Sequence, residues 1–151
     1  MKITGQCHCG AISFTALVDP NRVLVCHCSD CQQFSGGPFR AVLPTPAEQV
    51  LVSGIAKHYF KVADSGNRRA QAFCADCGTQ LYSTEADGES KTLNLRVGCI
   101  NERAQLVPHI QIWGESAMPW LQQLHAVPFH SKGIASPLVS TAQNLAGSGA
   151  A

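Results

Sequence analysis

Seven of the eight cysteines fall into three short runs: Cys7-His8-Cys9-Gly10, Cys26-His27-Cys28-Ser29-Asp30-Cys31 and Cys74-Ala75-Asp76-Cys77-Gly78. Alternate residues of an extended chain share one face, so Cys7/Cys9 and Cys26/Cys28 can each present two sulfurs to one point while His8 and His27 turn away. A Cys-x-x-Cys-Gly turn achieves the same by doubling back behind the second sulfur. These spacings suit Zn²⁺, which takes thiolates tetrahedrally at roughly 2.3 Å. The pairs Cys7/Cys9 and Cys74/Cys77 together supply four ligands, and Cys26, Cys28 and Cys31 remain as a triple. Two zinc ions per chain are therefore expected. Four protein ligands close a structural site, whereas three leave a position for water or substrate, so the triple is the natural place for chemistry. Cys99, His27 or another residue could instead close the second site, in which case both metals only hold the fold.

Disulfides are the competing use of clustered cysteines. Cysteines two apart on one strand face are poorly placed for bridging, and Met1-Lys2-Ile3-Thr4-Gly5-Gln6 contains no apolar export signal, so a reducing, cytoplasmic setting is expected. The 151 residues fit one domain with a modest core that zinc would reinforce. No apolar run reaches membrane-spanning length. The formal charge of +1 is turned slightly negative by zinc-bound thiolates, which removes the electrostatic case for nucleic acid. From about Ser131 the chain is small, polar and nearly uncharged, and residues 131–151 are expected to be a tail following a domain of residues 1–130.

The ligands must be held by strands. Period-two alternation dominates: Ile12, Phe14, Ala16 and Val18 share one face, and Leu93, Leu95 and Val97 oppose Thr92, Asn94 and Arg96. Further strands are predicted over 39–43, 49–52, 57–62, 69–73, 80–83 and 109–113. Helix is confined to a turn over 29–34, with Ser29 as a cap, and a short piece around 120–125. The fold class expected is mainly β, with antiparallel sheets bridged by zinc.

The ordered set Gly5-x-Cys7-x-Cys9-Gly10, Cys26-His27-Cys28-x-x-Cys31 with Ser35-Gly36, Phe73-Cys74-x-x-Cys77-Gly78, and Pro108-His109-Ile110 with Trp113 and Pro119-Trp120 resembles the glutathione-dependent formaldehyde-activating enzymes, whose domain is shared with centromere protein V. The likeness runs from about Lys2 to Trp120. It implies a zinc-stabilised β-tent with rubredoxin-like knuckles, in which Cys7, Cys9, Cys74 and Cys77 hold a structural zinc. Cys26, Cys28 and Cys31 would hold a second, catalytic or exchangeable one. It also implies a carbon-sulfur lyase that joins a small thiol such as glutathione to formaldehyde or a related small aldehyde, giving S-(hydroxymethyl)glutathione.

Such a reaction needs a thiolate and a proton donor for the developing alkoxide. His27, beside the triple, and His109, within the shared motif, are the candidates for the donor. Glutathione carries two carboxylates, so Arg40, Lys57, Arg68, Arg69 and Arg96 are candidate partners, each with solvated surface charge as its default. Trp113 and Trp120 either wall a cleft or belong to the core. Cys99 is the remaining thiol. Methionine-R-sulfoxide reductases share the β-tent and place a catalytic cysteine in a similar Arg-x-Cys-x-Asn setting, although here the arginine lies one residue too far away. Parity with Leu93, Leu95 and Val97 puts Cys99 on the buried face, as a packing residue. A zinc-stabilised binding module without catalysis is the third reading.

Overall fold

The computed structural model describes residues 1–63 and 66–139. Among them ten strands form two sheets. The smaller contains β1 (Lys2–Gln6), β2 (Ser13–Leu17) and β5 (Val50–Ser53), paired in the order β1-β2-β5. The larger contains β3 (Leu24–Cys26), β4 (Arg40–Pro46), β6 (Lys57–Val62), β7 (Arg68–Phe73), β8 (Gln80–Glu85), β9 (Thr92–Arg96) and β10 (Ile110–Ile112). Its order is β10-β3-β4-β9-β8-β7-β6. The mainly β expectation therefore holds. One pairing departs from it: β10 runs parallel to β3, because a long excursion rather than a hairpin returns the chain to that edge.

The alternation predicted for β2 and β9 is realised. Ile12, Phe14, Ala16 and Val18 from the smaller sheet pack with Leu43, Leu81, Leu93 and Leu95 from the larger in one apolar cluster. Burying each leucine or phenylalanine contributes about 1.5–3 kcal/mol. Alternation alone does not mark β1, since Lys2 to Gln6 carries only one large apolar residue. It forms because Ile3 enters the core and its backbone pairs in register with β2, from Lys2↔Leu17 to Gln6↔Ser13.

The even-numbered residues of β4 and β9 face away from this core. On that side lies α1 (Ser29–Ser35), the helix expected at 29–34. Its N-cap is Cys28 rather than Ser29, with no side-chain cap bond, and Gly36 ends it in the left-handed conformation at φ 63°. Lys61 of β6 forms an ion pair with Asp30 of α1. The helix thus converts what the alternation marked as a polar, solvent-facing surface into a second, polar interior.

Residues 1–117 and 118–151 are separate compact units. In the second, the predicted helical piece is a 3-10 segment over Pro119–Ala126, and His130 bridges Leu138. Of the expected tail, residues 140–151 lie outside the described residues. No helix among the described residues is long and apolar enough to cross a membrane.

Candidate metal centre and its polar interior

The first cysteine cluster is built from two matching turns. Cys7 follows the end of β1, its N–H bonding Ile12 O at 2.9 Å while Gly10 N–H returns to Cys7 O at 3.1 Å. After β7, Cys74 N–H bonds Thr79 O at 3.0 Å and Gly78 N–H returns to Cys74 O at 2.9 Å. Gly10 and Gly78 take φ of 80° and 73°, which disfavour any side chain. Strand alternation was thus the wrong local route for Cys7 and Cys9: β1 stops at Gln6, and a turn brings the sulfurs together.

The sulfurs of Cys7, Cys9, Cys74 and Cys77 lie within 4.8 Å of one another, as do those of Cys26, Cys28 and Cys31. Cys7 and Cys9 are 3.5 Å apart, Cys9 and Cys74 3.7 Å, and Cys26 and Cys28 3.5 Å. Tetrahedral coordination with bonds of roughly 2.3 Å requires sulfurs about 3.8 Å apart, so both groups fit zinc. Surrounding donors also suit thiolates: Ile12 N–H reaches Cys7 Sγ at 3.3 Å, and Thr79 Oγ1 lies 3.2 Å from Cys77 Sγ. With the Thr79 hydroxyl as the leading cause, the Cys77 thiol is lowered to about 5.

The triple is reached differently. Cys26 ends β3, Cys28 caps α1, and Cys31 lies one turn into the helix. No fourth His, Cys, Asp or Glu among the described residues joins the group, so neither Cys99 nor His27 stands there as a ligand. Cys31 is lowered to about 5, foremost by its hydrogen bond with Cys26 and then by the Arg40 charge. The same pairing and, after it, burial push Cys26 up.

Arg40 enters the polar interior from β4 and Arg96 from β9. They are 7% and 5% exposed, against the solvated charge expected of any one arginine. Arg40 Nη2 donates to Cys31 Sγ at 3.4 Å, and its guanidinium lies 5.4 Å from the centre of the Phe34 ring. Arg40 Nη1 and Arg96 Nη2 both donate to Gln71 Oε1, at 3.4 and 2.8 Å. Burial first, and then the Arg40 charge, bring Arg96 down to about 9. Sequence reasoning could not separate these two from Arg68 and Arg69, which pair with Asp87 and Glu85, or from exposed Lys57. For Arg40 alone a sequence signal existed, its place directly after Phe39 in the strand predicted over 39–43.

His27 is buried, its Nε2 2.8 Å from Gln111 Oε1 and its ring 5.7 Å from that of Phe39, while its Nδ1 has no hydrogen-bond partner. His109 is exposed, and its backbone N–H bonds Val23 O. Trp113 and Trp120 are both about half exposed, so neither is a core residue, and Trp113 takes a left-handed φ of 61°. Cys99 is half-buried rather than fully buried. The strand ends at Arg96 and a 3-10 turn over Val97–Cys99 breaks the parity that would have hidden it. Its thiol donates to Gln80 O at 3.0 Å, and burial pushes it up to about 11.

A mainly β domain that carries two separate groups of converging thiols, one of four and one of three, is a cysteine-rich β protein with two groups that could each hold a metal ion. Within that class, residues 2–116 match the model of the glutathione-dependent formaldehyde-activating enzymes, and the chain belongs to that family. An uncharacterised lyase of Schizosaccharomyces pombe is 29% identical over 86 residues, a stretch covering 57% of this chain and 60% of that protein. The crystal structure of a Rhodobacter sphaeroides protein superposes with a TM-score of 0.53 at 17% identity, covering 72% of this chain and 98% of that one, which is a likeness of fold.

Proposed function

We propose that this chain is a zinc-dependent carbon-sulfur lyase that adds a small thiol, glutathione or one like it, to formaldehyde or a related small aldehyde. The observation that carries the proposal is the three-cysteine group with no fourth protein ligand among the described residues, set beside a cationic interior. Cys7, Cys9, Cys74 and Cys77 would hold a structural zinc, and Cys26, Cys28 and Cys31 the second. Zinc held by Cys26, Cys28 and Cys31 would favour the ionised form of an incoming thiol.

The chain's own groups do the rest. Arg40, touching Cys31, adds positive charge where a thiolate must be stabilised. Phe34 packs against Arg40 and Phe39 against His27, which makes the surroundings less polar and strengthens the electrostatics there. Addition forms one C–S bond and moves one proton from sulfur to the former carbonyl oxygen. His27 suits that transfer better than His109, since its buried Nδ1 is without a partner whereas His109 is exposed. The thiol at Cys99, raised by burial, lacks the activation expected of the nucleophile in a reductase. All eight cysteines are free, in keeping with a cytoplasmic setting.

The test follows ¹³C-formaldehyde and glutathione by NMR against the uncatalysed background. The parent and a chain ending at His130 should accelerate formation of the hydroxymethyl thioether, as the activity is placed in residues 1–130. Cys28→Ser should remain folded with one tight zinc and return to background. Undiminished turnover by Cys28→Ser would remove the triple from the mechanism.

A further inference from the structure

Arginine is seldom buried without an anion beside it, because an uncompensated interior charge costs several kcal/mol. Among the described residues no carboxylate pairs with Arg40 or Arg96, and the only anionic group beside either is the Cys31 sulfur against Arg40. The carboxylate ion pairs among the described residues are Lys61–Asp30, Arg68–Asp87 and Arg69–Glu85. The two guanidiniums share one neutral oxygen, Gln71 Oε1. Arg96 has in addition the carbonyl of Asn94 at 3.2 Å, and Arg40 the sulfur of Cys31. The Nε of each arginine has no hydrogen-bond partner, nor has Gln80 Oε1. Arg40, Arg96 and Gln80 line one cavity of about 370 Å³ together with Phe34, Phe39 and Cys99. That volume is at the small end of ligand pockets, which run from roughly 300 to 1,000 Å³.

We propose that this cavity is an anion subsite in which Arg40 and Arg96 bind the carboxylate of the thiol substrate, so that the enzyme selects thiols bearing a carboxylate on a short arm over neutral thiols. The proposal rests on the thiol-addition reading and adds the substrate class to it. Arg40 belongs to both places, lining the cavity and touching Cys31. A ligand lying along it presents its carboxylate to the cavity and its sulfur toward the triple. A guanidinium fork matches a carboxylate in shape as well as charge. The Gln80 oxygen accepts from an N–H or O–H beside that carboxylate.

The test uses the purified, metal-loaded protein and three probes: 3-mercaptopropionate, its neutral isostere 3-mercaptopropionamide, and propionate, which has no thiol. Backbone NMR titration gives a Kd for each and shows where it binds. The acid should bind about tenfold tighter than the amide, since a charged hydrogen bond contributes about 1.5 kcal/mol or more. Its shifts should include Ala41, Gly78, Gly98 and Cys99, which also line the cavity. Arg96→Gln should bring acid and amide within about twofold, while Arg96→Lys keeps a preference for the acid. Equal Kd values for acid and amide in the parent overturn the proposal, and that comparison stands even if Arg96→Gln fails to fold. Shifts that avoid the cavity overturn it too, as does a preference unchanged in Arg96→Gln. Propionate separates the two readings: if it shifts the cavity amides while no thiol is ever turned over, the anion subsite stands and the lyase reading falls.

Discussion

At Gly5 a single methyl group decides whether β1 can approach the segment that carries Cys99. A Cβ built there would meet the Phe14 ring at 2.2 Å and the Cys99 carbonyl at 2.6 Å, and Gly5 bridges Ile100 in that contact. Phe14 belongs to the core and the carbonyl to the backbone, so neither gives way cheaply. Gly5→Ala should destabilise by about 1–3 kcal/mol, read by denaturant unfolding, the usual range for overpacking. A variant as stable as the parent would show the approach to be looser than drawn. Cys99 itself tests the choice between thiol chemistries. Cys99→Ala should cost about 1 kcal/mol of packing and leave thiol-aldehyde turnover within about twofold of the parent. If the parent reduces methionine sulfoxide and Cys99→Ala does not, the reductase reading takes over and the triple becomes a second clamp.

Between elements, Glu102 ties the edge of the small sheet to the chain that follows β9. β1 is an edge strand, and its outer side is covered by the chain around Ile100 and Asn101, with Asn101 N–H bonding Thr4 O at 2.9 Å. Glu102 accepts from Thr4 N–H at 2.9 Å and Thr4 Oγ1 at 3.1 Å, across 98 residues of sequence. The Thr4 backbone N–H is the main reason its carboxyl is held below the ordinary 4.5. A folded value below the unfolded one stabilises above about pH 4.5 and is lost as pH falls through the folded value. Glu102→Gln should therefore melt below the parent at pH 7, and the gap should narrow as the pH falls under 4.5. A gap constant from pH 7 down to pH 4 would assign the loss to shape rather than charge.

For the whole molecule, the two thiol groups differ in what they join. The four-sulfur group links the chain after β1 to the turn between β7 and β8, strands of different sheets. The triple spans only six residues, Cys26 to Cys31, at the junction of β3 and α1. Metal bound at the first would be inseparable from folding, whereas the second could empty with local effect. Stepwise chelation followed by metal analysis should release one zinc with turnover lost and the fold kept, and the second only on unfolding. Cys77→Ser should be insoluble or largely unfolded. Release of both metals in one step, or a Cys77→Ser protein melting like the parent, would reverse the two roles.

Spacing along the chain was enough to group the seven clustered cysteines and to mark most of the strands, because thiol clustering and period-two burial are local or nearly local patterns. The cysteine pairs could be matched by number alone, four for a closed site and three left over. Alternation likewise placed Leu93 and Leu95 in the core. What alternation could not supply was the fate of the opposite face. Arg96 was correctly turned away from the apolar core, yet α1 and the aromatic residues near Arg40 cover the cysteine-bearing part of that face, so a residue marked polar is one of the most deeply buried cations. Cys99 likewise left its predicted face because the strand ends three residues early in a 3-10 turn. Burial depends on which element packs over a face, and that is set by contacts between residues tens of positions apart. The ligand groups were therefore legible in one dimension, while the charged interior beside them exists only once the sheet and helix have closed.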